Sequence, residues 1–256
     1  MKMPLLLTLM LSSLSISNAN AARILFFGDS QSVATYGPFG MTMNKLLREL
    51  PNALVTTHAR CGSVMGSWYT GWSTGCGYYD EDSFGTTLPK LHAADANHKT
   101  EYYPNNAPTP KIVPIIHTFL PELIVVEMGG NYTKSKDPLN EIKSEVGTFI
   151  TDVQTYQHST PSKVECVWVG PPAHRIPSDP KEAAAFKKLM TDIVATIKAT
   201  VEPTCEFFDS TLVTAYPATG GDGTHYSFPA GARVAIPWAE KAFAVVKTHY
   251  SQIANH

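Results

Sequence analysis

The sequence predicts an α/β fold: a parallel, five-stranded sheet covered on both faces by helices, making a three-layer α/β/α sandwich. Two observations carry that reading. Short apolar runs such as RILFF (23–27) and PELIVVEMGGN (121–131) alternate along the chain with amphipathic stretches of helical period. That alternation builds parallel sheets from strand–helix–strand units. The runs are also apolar throughout rather than at every second residue, as strands buried on both faces are. Ligands of such sheets bind beyond the carboxyl ends of the strands, so the residues that end each strand are the ones to inspect.

Each element follows in order. RILFF is a strand that stops at Gly28-Asp29-Ser30. Residues 40–50 have helical spacing, with Met41, Leu46, Leu47 and Leu50 able to share a face. Residues 52–62 (NALVTTHARCG) read as a second strand ending at glycine, and 121–131 as a third. An amphipathic helix spans 138–156, and 163–172 (KVECVWVGPP) is a strand stopped by prolines. A helix over 179–200 has Pro180 at its first turn, a position that tolerates proline. A fifth short strand covers 205–211, and a last helix over 229–250 is expected to be interrupted at Pro237. Residues 63–120 break the rhythm. They are rich in Gly, Pro, Tyr and Trp, with a weak helical pattern only around 86–96. Such a stretch is too long for a simple connection, so it reads as a loop-rich insertion beside the site. No repeat or second domain is evident, and 22–256 is expected to form one domain.

Composition narrows the function classes. The 256 residues are 43% hydrophobic and 16% charged, with a net charge of −2 and no Lys/Arg cluster. Nothing there resembles a footprint for nucleic-acid phosphates. The first residues, MKMPLLLTLMLSSLSISNANAA, join Lys2 to an apolar core from Leu5 to Leu14 and an A-x-A site at Ala19-Asn20-Ala21. Residues 1–21 are therefore expected to be a secretory signal peptide, with an uncleaved anchor as the rival reading. The protein is expected to be exported, to the periplasm or the medium, without stable membrane insertion. Four cysteines, Cys61, Cys76, Cys166 and Cys205, favour disulfides in an exported chain. Three pairings are possible. Cys61–Cys76, closing a local loop, with Cys166–Cys205, joining neighbouring strands, is the preferred one. Zinc is the rival, but no C-x-x-C or H-x-x-x-H spacing supports it.

Four strand ends and loops carry candidate chemistry: Gly28-Asp29-Ser30, Cys61-Gly62-Ser63, Gly129-Gly130-Asn131, and GGDGTHY near the C-terminus with Asp222 and His225 three residues apart. Taken together and in this order, the chain resembles the SGNH (GDSL-like) hydrolase superfamily, and the four blocks span nearly the whole sequence after residue 21. The resemblance implies a flavodoxin-like sandwich, Ser30 as nucleophile, His225 as base and Asp222 as its partner. It also implies an oxyanion hole from the Ser30 and Gly62 backbone N–H groups and the Asn131 side chain. The residue types suit that chemistry. A serine hydroxyl reacts only when a base takes its proton, imidazole does so at neutral pH, and a carboxylate holds the imidazole's tautomer. Asp29 is expected to be structural, bonding backbone around the turn. His117 and His174 lie near strand starts or ends and are read as structural or solvent-facing, with a place in the pocket lining as the alternative. Gln31 and Tyr132 stand where many members have Leu and Asp, which weakens any carry-over from the lysophospholipase and thioesterase branch.

The insertion is aromatic. Trp68, Tyr69 and Trp72 precede Tyr78, Tyr79, Tyr102 and Tyr103. Aromatic rings stack on sugar faces, so Trp68, Tyr69 and Trp72, with Tyr132, are candidate substrate contacts; the alternative is that they pack an irregular loop. The expected activity is hydrolysis of a small acyl ester, acetyl first, from peptidoglycan or another polysaccharide, needing neither metal nor organic cofactor. A lipid esterase or thioesterase, an O-acetyltransferase and a non-catalytic envelope-binding protein are the alternatives. Oligomeric state is left open.

Overall fold

A computed structural model of the chain describes residues 21–33, 36–74, 76–82, 90–92, 107–202 and 204–254. The leading segment read as a signal peptide falls, but for its last residue, outside them, as do Tyr102 and Tyr103. Strands β1 (Ala22–Gly28), β2 (Ala53–Arg60), β3 (Ser73–Thr74), β4 (Tyr78–Asp82), β5 (Lys90–His92), β6 (Ala107–Pro108), β7 (Leu123–Glu127), β8 (Glu165–Val169) and β9 (Glu206–Phe208) are joined by helices. The helices are α1 (Phe39–Arg48), α2 (Ser67–Thr70), α3 (Ile112–Phe119), α4 (Pro138–Ser159), α5 (Pro180–Val201) and α6 (Pro229–Ala254).

The main sheet runs β5-β4-β2-β1-β7-β8-β9. Its five parallel strands stand in the order second, first, third, fourth, fifth, and the direction of winding reverses between β1 and β7. That reversal opens a crevice at the carboxyl ends of the two strands. Register brings the ends level: Gly28 of β1 pairs with Ala59 of β2 and with Glu127 of β7. Successive side chains of a strand face opposite ways. Leu25, Phe27, Ile124 and Val126 accordingly pack under α4 and α5, while Ile24, Phe26 and Val125 pack under α1 and α6. Phe27, Trp68, Phe149 and Trp168 form a chain of ring contacts in the first layer, with centroids 5.0 to 6.0 Å apart. The three-layer α/β/α sandwich read from the sequence is thus the observed fold.

Three details differ. The sheet has seven strands rather than five, because the segment over 63–120 returns an antiparallel pair, β4 and β5, onto the free edge of β2. Residues 90–92, within the stretch read as weakly helical, are one of these strands. The same segment holds a true helix, α3, despite Pro114. That proline is its third residue, where the missing N–H would have had no partner within the helix. Finally, α6 is not interrupted at Pro237. The exposed proline forfeits one backbone bond, but Ala235, Trp238, Ala239 and Ala242 are buried on the sheet and hold the helix through it. Disulfides join Cys61 to Cys76 and Cys166 to Cys205, with Cα atoms 5.5 and 4.4 Å apart. The first closes the loop between β2 and β4; the second ties β8 to the start of β9.

Candidate active site

Asp29 and Ser30 leave β1 in a tight 3₁₀ turn at the switch point. The Asp29 carboxylate accepts from the Gln31 backbone N–H (2.9 Å), capping the turn that presents Ser30. Helix α1 begins close behind. A Cβ on Gly40 would lie 2.0 Å from the Ser32 carbonyl oxygen, so only glycine lets the helix approach.

From the far end of the chain, the loop 220–225 returns to the same place. His225 Nε2 lies 2.9 Å from Ser30 Oγ, and His225 Nδ1 lies 2.5 Å from Asp222 Oδ2. Asp222 Oδ1 also accepts from the backbone N–H groups of Thr224 and His225, both at 2.8 Å. Partial burial opposes ionisation of Asp222, but the His225 N–H groups outweigh it and hold this carboxyl down to about 2. With Nδ1–H donated to a carboxylate, Nε2 is left as an acceptor for the serine hydroxyl. Ser30, His225 and Asp222 are therefore brought into one hydrogen-bonded line.

Gly62 follows β2 with φ +75°, a left-handed conformation that favours glycine. Asn131 lies in the turn after β7. Its Nδ2 donates to the Ser63 carbonyl (3.0 Å) and stands 3.4 Å from Asp29 Oδ2. One amide thus ties together the ends of β1, β2 and β7.

Two buried carboxyls sit beneath the turn. Burial pushes Asp29 up to about 6, against the hydrogen bonds it accepts. Burial and the Asp29 charge push Glu127 well above the usual range, even though Ser32 Oγ donates to it at 2.7 Å. Behind Asn131, the His174 imidazole packs on Gly130, its Nε2 is buried with no hydrogen-bond partner among the described residues, and its ring stacks on Phe186. Burial and the neighbouring His225 charge push His174 down to about 4.

Of the aromatic candidates, Trp68 and Tyr132 are corrected: both are fully buried and cannot meet a ligand. Trp68 packs on Phe27 and donates to Ser63 Oγ, while the Tyr132 hydroxyl donates to Glu145 (2.8 Å). Tyr69 is half-buried and donates to Asp152 (2.6 Å). Glu145 and Asp152 belong to α4, onto which this part of the insertion folds as core. Trp72 is 52% exposed. His117 is exposed on α3, edge-on to Tyr156, away from Ser30.

Three contacts of the site have no signature in the sequence. The Gln31 amide donates to the Thr224 carbonyl (2.9 Å), stitching the serine turn to the His225 loop. The Tyr36 ring lies on the His225 ring, with centroids 4.4 Å apart. Its hydroxyl donates to the Cys76 carbonyl (2.6 Å). A separate groove of about 630 Å³ opens between the start of β1, β2 and α3, lined by Arg23, His58, Ile115 and Phe119, and contains none of these residues. Among the described residues, no cluster of three or more His, Cys, Asp or Glu is arranged to hold a metal ion.

The fold recurs in solved structures. An acetyl-xylooligosaccharide esterase from Geobacillus stearothermophilus, in a mutant form, superposes with a TM-score of 0.51 at 11% identity, over 87% of this chain and 94% of that one. An inhibitor-bound aryl esterase from M. smegmatis gives 0.50 at 16% identity, over 88% and 99%. No family model and no curated protein matches the sequence.

Proposed function

We propose that the protein is an exported serine esterase that removes a small acyl group, acetyl in the first place, from a glycan such as peptidoglycan or another polysaccharide. The hydrogen-bond line from Ser30 Oγ through His225 to Asp222, lying at the switch point of the sheet, carries this reading. Ser30 Oγ attacks the ester carbonyl carbon while its proton passes to His225 Nε2. The tetrahedral oxyanion is met by the Ser30 and Gly62 N–H groups and by Asn131 Nδ2. Loss of one such donor costs roughly 3–4 kcal/mol in the transition state. The intermediate collapses, the bond to the alcohol oxygen breaks, and that oxygen takes the proton from Nε2. Water then adds to the acyl-Ser30, giving a proton to Nε2. The acid departs, and Oγ regains the proton. Asp222 keeps the imidazole in the productive tautomer and stabilises its cation.

The resemblance in the four sequence blocks supports the ester-hydrolase class. The name of the G. stearothermophilus protein, an acetyl-xylooligosaccharide esterase, adds a glycan substrate as the reading to test. Two disulfides suit an oxidising compartment, and among the described residues no helix is long and apolar enough to cross a membrane.

The test is hydrolysis of p-nitrophenyl esters from acetyl to dodecanoyl, by the protein and by Ser30→Ala, followed by acetate release from O-acetylated glycans. Turnover of the acetyl ester that Ser30→Ala lowers at least about 10³-fold is expected. A preference for long acyl chains with no acetate release would overturn the glycan reading in favour of a lipid esterase. Transfer of acetyl to an added glycan in place of water would assign an acetyltransferase.

A further inference from the structure

The esterase reading leaves one neighbour of His225 unexplained. Tyr36 lies on the loop that leads from Ser30 to α1, and its ring is half-buried against the imidazole, tilted 39° from parallel. An imidazole held only by Asp222 on one nitrogen and Ser30 on the other can still rock about the line joining them. A flat ring against its face removes that freedom.

The other end of Tyr36 is fastened as well. Its hydroxyl donates to the Cys76 carbonyl, and Cys76 is bonded to Cys61, the residue before Gly62. The bridge also stands next to Gly62 itself, where an added Cβ would lie 3.6 Å from Cys76 Sγ. The Cys61 N–H donates to the Gly77 carbonyl (3.0 Å), closing the loop from the other side. Val33, Ala59, Cys61 and Tyr79 form a small apolar cluster on which Tyr36 packs. Burial and the nearby Asp222 charge raise the phenol above its usual range, so it keeps the proton it donates to Cys76.

We propose that Tyr36 is a positioning residue that holds the His225 ring through its face and is itself anchored, through its hydroxyl, to the loop closed by the Cys61–Cys76 disulfide. The general base and the Gly62 turn are then braced by one side chain, and opening the disulfide loosens both. This rests on the serine-esterase reading. It differs from a substrate-contact role, which would act on KM, and from simple packing, which would act on stability alone.

The experiment compares the full chain with Tyr36→Phe and Tyr36→Leu, each with and without the paired Cys61→Ala/Cys76→Ala substitution. Readouts are kcat and KM for p-nitrophenyl acetate and the unfolding midpoint. Ser30→Ala is the control: if wild-type turnover survives it, the esterase reading fails, whatever Tyr36 does. With that control satisfied, Tyr36→Leu is expected to lower kcat roughly 10- to 100-fold with KM little changed, the scale of a misplaced catalytic group. Tyr36→Phe keeps the ring but loses the anchor, and is expected to recover only part of this. Removing the disulfide is expected to lower kcat in the wild type, and to lower it clearly less in Tyr36→Phe, whose anchor is already cut. The proposal is overturned if Tyr36→Leu leaves kcat unchanged. A rise in KM at constant kcat overturns it too, as does a disulfide effect that simply multiplies that of Tyr36→Phe. Should Tyr36→Leu fail to fold, the last comparison alone decides.

Discussion

His174 shows how a single side chain can be well packed yet costly. Its ring fits between Gly130 and Phe186, but its buried Nε2 has no hydrogen-bond partner among the described residues, and burial holds the group down to about 4. An unfolded histidine titrates at 6.5. Between those values the unfolded chain binds a proton that the folded chain refuses, so stability falls as pH is lowered from 6.5 toward 4. The penalty reaches roughly 3 kcal/mol at the acid end. Urea unfolding of the wild type and His174→Gln at pH 7 and pH 4 measures it. The variant is expected to lose less stability between the two, whatever its absolute value; an equal loss refutes the assignment. None of this was legible in the sequence, where His174 is one histidine among nine. The residues that were legible, Ser30, Asn131, Asp222 and His225, announce themselves by type at the end of a strand or in a glycine-rich loop. Tyr36 and Gln31 meet residues almost two hundred positions away, and no local pattern encodes such a meeting. Trp68 and Tyr132 misled for a related reason. An aromatic residue in a glycine-rich segment is as fit for a core as for a rim, and only the fold of the insertion onto α4 decides between them.

At the level of elements, the periodic parts read correctly because burial on both faces leaves continuous apolar runs, and amphipathic helices leave a period. The insertion has neither, so its edge strands and α3 became visible only in three dimensions. The disulfides separate two kinds of stabilisation. Chain-entropy arguments give roughly 4 kcal/mol for the longer loop of Cys166–Cys205 and roughly 3 kcal/mol for Cys61–Cys76, with sequence separations of 39 and 15. The first lies at the amino ends of β8 and β9, away from the site, and both its residues are buried. Cys166→Ala/Cys205→Ala is expected to lower the unfolding midpoint and leave kcat for p-nitrophenyl acetate within about twofold. A large fall in kcat at temperatures where the variant stays folded would contradict the separation of the two ends of the sheet.

That separation is a property of the whole molecule. The proposed chemistry sits at the carboxyl ends of the parallel strands, while their amino ends carry an ionic clamp. There His249, near the end of α6, places Nδ1 2.8 Å from Glu165 and Nε2 2.6 Å from Glu206. The two carboxylates begin β8 and β9 and would repel each other without it. Lys163 adds a contact of 2.6 Å to Glu165. Both ring nitrogens face carboxylate oxygens, one on each glutamate. Burial opposes ionisation of Glu165, but Lys163 and His249 outweigh it and keep the carboxyl below its ordinary 4.5. The sign follows. A lowered carboxyl contributes stability that is complete above 4.5 and is lost as pH falls through the folded value. Replacing His249 by Phe should therefore lower stability wherever Glu165 is ionised, through loss of side-chain hydrogen bonds worth about 1 kcal/mol each. The cost should shrink as pH falls below 4.5 and Glu165 takes up its proton. Ester turnover at temperatures where both proteins are folded should be unchanged, because the clamp and Ser30 lie at opposite ends of the sheet. Denaturant melts at pH 7 and pH 3, alongside kcat at pH 7, test both halves. A loss of stability that does not depend on pH would reduce the clamp to packing, and a loss of kcat would mean that α6 transmits strain from one end of the sheet to the other.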